Sequence, residues 1–205
     1  MAQYEHLIAT KITCKIIEIN GEYYADYLTG GFEIGRGVSA PTLAAFRDSI
    51  QQYSWSESAL NQGFFNVHFL HDLKAGSLPT FHVHYAHNIA GGTYTPESAN
   101  VKFNVAYMTA KGYKAGAYPA ETVVSAVQSV GGQYVPHITP DDQMAMNSGD
   151  DIEIDGMVLC RLYRDPTDPQ DTFNHPVFVT GVDLHYRIGQ VATVERNRPF
   201  TSAGF

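Results

Sequence analysis

The stretch Thr80-Phe-His-Val-His-Tyr-Ala-His87 decides how the rest of the chain is read. Phe81, Val83 and Tyr85 alternate there with Thr80, His82 and His84. Successive side chains on a strand point to opposite faces, so this segment has an apolar face and a polar one. The apolar face belongs on a core, and the histidines then point away from it.

The same alternation recurs outward from this stretch. Segment 64–70 sets Phe65, Val67 and Phe69 against Phe64, Asn66 and His68. Segment 101–109 puts Val101, Phe103, Val105 and Tyr107 on one face. Segment 121–130 sets Val124, Ala126 and Val130 against Val123, Ser125 and Val127. Segment 157–164 is apolar on both faces in its first half, as a buried central strand would be. Segment 176–188 is the longest, and strict alternation turns Phe178, Val182, Leu184, Tyr186 and Ile188 one way. Segment 133–139 is a weaker strand broken by Pro136, and segment 8–19 ends at Asn20-Gly21, a hairpin-turn signal.

About eight strands with unequal loops predict an all-β, single-domain sandwich over 1–205, jelly-roll-like in architecture. An immunoglobulin-type sandwich comes second, because Cys14 and Cys160 do not bracket a strand tryptophan, and Trp55 lies outside these strands. Residues 20–63 read as a long edge insertion and 189–205 as a C-terminal arm. Residues 39–53 differ in character. Leu43, Phe46 and Ile50 fall at i, i+3 and i+7 after a possible Thr42 cap, which predicts one short helix, with an extended arm as the alternative.

Composition narrows the function. The 205 residues are 44% hydrophobic and 17% charged, so the chain is expected to fold on a real core. Net charge is −8 and the 13 Lys and Arg form no cluster, which argues against nucleic acid as a partner. No apolar run is long enough for a membrane span, and Met1-Ala-Gln-Tyr-Glu-His6 lacks the features of a secretory signal, so no membrane role is expected. Cys14 and Cys160 are read as free buried thiols.

The search for catalytic motifs leaves little. Gly31-Phe-Glu-Ile-Gly-Arg-Gly37 lacks the Lys-Ser/Thr of a phosphate loop. Asp141-Asp142 and Asp150-Asp151 sit in loops as solvated pairs, and Asp165, Asp168 and Asp171 read as turn initiators ahead of a calcium loop. Histidine is the exception. His82 and His84 share one strand face, and Asp183 and His185 share the polar face of another. If the two strands are neighbours, four polar groups converge. Two or three imidazoles with a carboxylate suit a metal, as in a cupin, but no glutamate follows His84 to complete that pattern. The favoured reading is a cluster of neutral imidazoles at a subunit interface, with no cofactor and no enzyme site. Arg161 and Arg164, three apart, fall on opposite faces. Arg161 shares its face with Met157 and Leu159 and is expected to be partly buried and paired.

Five stretches together resemble a family of tailed-bacteriophage virion structural proteins. They are Ala40-Pro-Thr-Leu-Ala-Ala-Phe-Arg47, Phe81-His-Val-His-Tyr-Ala-His-Asn88, Tyr107-Met-Thr-Ala-Lys-Gly112, Asp155-Gly-Met-Val-Leu-Cys-Arg-Leu-Tyr-Arg-Asp165 and Val182-Asp-Leu-His-Tyr-Arg187. Their order along 38–200 carries the resemblance. It implies a jelly-roll-like protein located in the virion and assembled in the host cytoplasm. It implies a capsid cement or decoration protein, with neck, tail or fibre adaptors as alternatives. Expected partners are copies of itself, most simply a trimer, and other virion proteins such as the major capsid protein. His82, His84 and His185, with Phe200 and Phe205 on the C-terminal arm, are the interface candidates. A metal-binding cupin-like enzyme or a carbohydrate-binding module is the alternative of another class.

Overall fold

The computed structural model describes residues 18–28, 39–96, 99–111, 117–150 and 152–190. These residues form ten strands in two antiparallel sheets, and no helix occurs among them. One sheet runs β2 (Thr42–Arg47), β3 (Ile50–Trp55), β10 (Val177–Gln190), β5 (Thr80–Ala86), β8 (His137–Ile138). β1 (Glu18–Leu28) joins it on β10, end to end with β3: Val177–Val179 pair with β3 and Asp183–Gln190 with β1. The other sheet runs β4 (Asn61–His68), β9 (Gly156–Arg164), β6 (Asn100–Lys111), β7 (Thr122–Ser129).

The sheets pack through the alternating apolar faces read from the sequence. Phe81, Val83, Tyr85, Val182 and Leu184 of one sheet meet Phe65, Val67, Val101, Phe103, Val105 and Tyr107 of the other, all buried. Ring pairs bridge the layers: Phe65–Phe81 at 6.3 Å, Phe81–Tyr107 at 5.5 Å and Tyr85–Phe103 at 5.1 Å between centroids. Such pairs fill a sandwich core and add orientation to area burial. Cys160 is a buried free thiol in this core, while Cys14 lies outside the described residues.

Four expectations need correction. Residues 39–53 form neither a helix nor an arm but the β2–β3 hairpin, turned at Asp48-Ser49. Asp48 takes φ 51°, a left-handed conformation that aspartate tolerates. Trp55 ends β3 fully buried, so it is a core residue. Asn20-Gly21 makes no hairpin turn: both residues lie inside β1, where the pairing with β10 shifts register. In β10 a bulge falls between Val179 and Gly181. The extra residue reverses the parity, so Val177 and Val179 join Val182 and Leu184 in the core. Phe178 faces the other way and packs on Phe46 at 5.1 Å.

Arg161 is partly buried and paired as expected, but the arginine that enters the core is Arg164. Arg161 is half-buried on the outer face of its sheet and pairs with exposed Glu121 at 3.1 Å. Arg164 sits on the core face with Val158, Cys160 and Leu162, fully buried. Its five N–H donors all find acceptors. Nε and Nη2 donate to the two oxygens of Asp171 at 2.8 Å each. Nη1 donates to the Trp55 and His175 carbonyls at 3.3 and 2.9 Å, and Nη2 also to the Phe173 carbonyl at 2.6 Å. The Asp165–Asp171 loop is thereby explained. Asp165 caps Thr167, Asp168 caps Gln170 and pairs with Lys102 at 2.7 Å, and Asp171 holds Arg164.

Breaking a buried pair from one side leaves an uncompensated charge, at a cost of about 3–5 kcal/mol, whereas an exposed pair contributes about 0–1 kcal/mol. Arg164→Ala is therefore expected to lose most of the fold's stability, and Arg161→Ala to melt close to wild type. Urea unfolding of both variants checks the order, which the sequence alone would have reversed.

Candidate functional site

The polar face of β5 meets the polar face of β10. The two strands pair with Asp183 directly opposite His82 and His185 opposite Thr80. Parity then gathers His82, His84, Asp183 and His185 on the side away from the core, as their alternation requires. Asp183 is buried and receives both strand histidines. His84 Nε2 lies 2.8 Å from its Oδ2, and His82 Nδ1 lies 3.4 Å from its Oδ1. The His82 and His185 rings meet edge to face at 5.2 Å, and the Tyr24 ring of β1 covers His185 at 4.9 Å.

A fifth member comes from a loop. After β8 the chain runs along the free edge of β5. Thr139 N donates to the Val83 carbonyl and its hydroxyl accepts from Val83 N. Farther on, Phe81 N donates to the Met144 carbonyl and Met146 N to the Pro79 carbonyl. Met144 and Met146 anchor the loop in the core. Asp141 is thus held at the outer face, its Oδ1 2.7 Å from His82 Nε2. That spacing is an ion-pair distance without hydrogen-bond alignment, for His82 Nε2 is buried and has no aligned acceptor. The distance establishes proximity, and the alignment shows that the contact is not an ordinary hydrogen bond. His82, Asp141 and His185 each offer a ligand atom within 4.8 Å of the others.

The electrostatics are those of an acid–imidazole network. The Asp183 carboxylate beside Nδ1 raises the His82 pKa above the ordinary imidazole value, against desolvation and with help from Asp141. Burial pushes the Asp183 carboxyl up, but the bonds and charges of His82 and His84 outweigh it and hold it at about 2. The expectation of neutral imidazoles therefore changes for His82: its carboxylate neighbours favour the charged form. The histidine also proves less solvated than a free sheet face implies, because Asp141 and the His185 ring close over it. A cleft of about 740 Å³ opens beside the cluster, lined by Tyr24, Ser77, Thr80, Asp141, His185 and Arg187 among others.

Phe200 and Phe205 lie outside the described residues. Two further histidine groups are separate from this cluster. His68 and His71 approach Asp155 at 3.4 and 2.9 Å. His87 is fully buried; its Nε2 lies 2.9 Å from the Gly131 carbonyl, and its Nδ1 accepts from Ile89 N. The Tyr94 hydroxyl and the Phe173 ring pack on it.

Burial lowers the His87 pKa, and the nearby His175 adds to the effect against the Gly131 bond. A depressed imidazole contributes stability that is present above the unfolded value of about 6.5 and is lost as pH falls through the folded value. Acid unfolding of the wild type is therefore expected to carry a limb below about pH 6.5 that His87→Gln shrinks. Imidazole NMR titration should find His87 still neutral at a pH where an ordinary imidazole is already charged. The chemistry of these groups rests on their own geometry, since no protein-family model and no curated protein matches the chain.

Proposed function

We propose that this chain is a structural protein of a bacteriophage virion that works by protein–protein contact and performs no chemistry. The observation that carries the reading is the outer face of the four-stranded sheet. Register aligns Phe64, Arg161, Ala106 and Val123 as one rung across β4, β9, β6 and β7. Phe64 and Val123 are exposed at 39% and 48%. Leu159 and Met108 are paired neighbours on the same face, both half-buried. Arg161, inside this rung, stacks on Tyr163 at 4.8 Å and pairs with Glu121. Exposed and half-buried apolar side chains around a stacked arginine are the makeup of a protein interface.

The five ordered sequence stretches supply the virion context. The occupant we assign to the face is a second copy of the chain, in a closed cyclic oligomer, most simply a trimer. A capsid cement or decoration role beside the major capsid protein fits such an assembly. Neck, tail or fibre adaptors would use the same surface.

Sedimentation at micromolar concentration is expected to give a multiple of 22.6 kDa. Phe64→Glu and Val123→Glu place a charge on the rung and should dissociate the assembly, with stability changed by only about 0.5 kcal/mol at such exposed positions. A monomeric wild type would defeat self-assembly. Mass spectrometry of purified particles tests the virion assignment, which the chain's absence from every particle would overturn.

A further inference from the structure

We infer that His82, His185 and Asp141 form a site for one divalent transition-metal ion of the zinc class, with Asp183 as the outer carboxylate that orients His82. This ligand set differs from the strand-only group expected from sequence, because Asp141 comes from the loop and Asp183 and His84 step back. Three ligand atoms from three segments lie within 4.8 Å of one another. Two imidazole nitrogens and one carboxylate oxygen are the donors that borderline-soft zinc accepts.

The contact between His82 Nε2 and Asp141 makes the argument specific. The nitrogen is buried on a side chain that is 9% exposed, and it faces a carboxylate oxygen at 2.7 Å off the hydrogen-bond direction. A hydrogen bond wants the acceptor along the N–H axis. Two ligands of one tetrahedral ion instead sit side by side, each aimed at the ion and neither at the other. With a cation on Nε2 in place of a proton, the Nδ1 proton would face Asp183 Oδ1, which lies 3.4 Å away. A carboxylate behind a ligating imidazole is the usual second layer of such sites, and it sets both tautomer and ring orientation. His84 fixes the other oxygen of Asp183 at 2.8 Å. Asp141 and His185 also line the cleft, from which water would complete the shell of the ion.

The test uses the full chain freed of metal with a chelator and titrated with Zn²⁺, followed by calorimetry and elemental analysis, and with Co²⁺ for its visible ligand-field bands. One ion per chain and tetrahedral cobalt bands are expected. Asp141→Asn and His185→Gln should each weaken binding by at least about tenfold, and Asp183→Asn by about 10–100-fold. Asp141 is exposed, so its variant should keep the fold, and the melting curves of the metal-free proteins confirm that. The double variant His68→Gln/His71→Gln should bind as wild type. Less than one ion per chain overturns the inference. So does binding that survives Asp141→Asn and His185→Gln, or binding lost in the His68/His71 variant.

Discussion

The placement of the other elements depends on one buried guanidinium. Arg164 lies on the core face of β9, where a charge without partners would be intolerable. Its solution is complete satisfaction: two bonds to Asp171 and three to the carbonyls of Trp55, Phe173 and His175. Those acceptors belong to the end of β3 and to the loop that leads into β10. Asp171 Oδ2 also accepts from Lys102 N at the start of β6. One side chain thus joins both sheets at one end of the sandwich. Replacing such a pair wholesale by apolar groups is often neutral in other proteins, so its worth here is read as positional. It holds the start of β10 in place, and the bulge after Val179 then brings Asp183 opposite His82.

The core was legible because period two is a strong signal when one face is buried. Phe81, Val83 and Tyr85, or Val101, Phe103 and Val105, allow only one orientation. Arg164 obeys the same parity, but its charge argues against the core, and the compensating Asp171 looks like part of a turn. Arg161 drew attention because its neighbours are apolar, yet those neighbours line an outer face. The β2–β3 hairpin was hidden for another reason. Leu43 and Ile50 match a helical spacing, but both are exposed at 56% and 58%, so their spacing reports no buried stripe. The hairpin is held by pairing β3 to β10, a long-range effect that local spacing does not carry.

The polar cluster divides the same way. His82, His84, Asp183 and His185 were visible from alternation, and only the pairing of β5 with β10 had to be supplied. Asp141 was not visible. Its position comes from backbone bonds of residues 139–146 along the edge of β5, and backbone bonds leave no side-chain pattern. Two adjacent aspartates in a Pro-containing loop are ordinarily solvent-facing, and Asp141 is indeed exposed. Its significance comes from what it faces.

The two outer faces therefore carry different chemistry. One presents titratable groups around Asp183, and the other presents Phe64, Val123 and their half-buried neighbours. Parity alone keeps them distinct from the core, so any one-residue slip in a strand would exchange an outer face for the inner one. The bulge in β10 must be understood in that light. Without the extra residue near Thr180, Val177 and Val179 would share the face of Asp183 and His185, and Phe178 would enter the core in their place. With it, both halves of the longest strand bury valines and leucine, while Asp183 stays outside the core opposite His82. A local irregularity that interrupts the ladder is what lets a single strand serve the core along its length and the polar cluster at its middle.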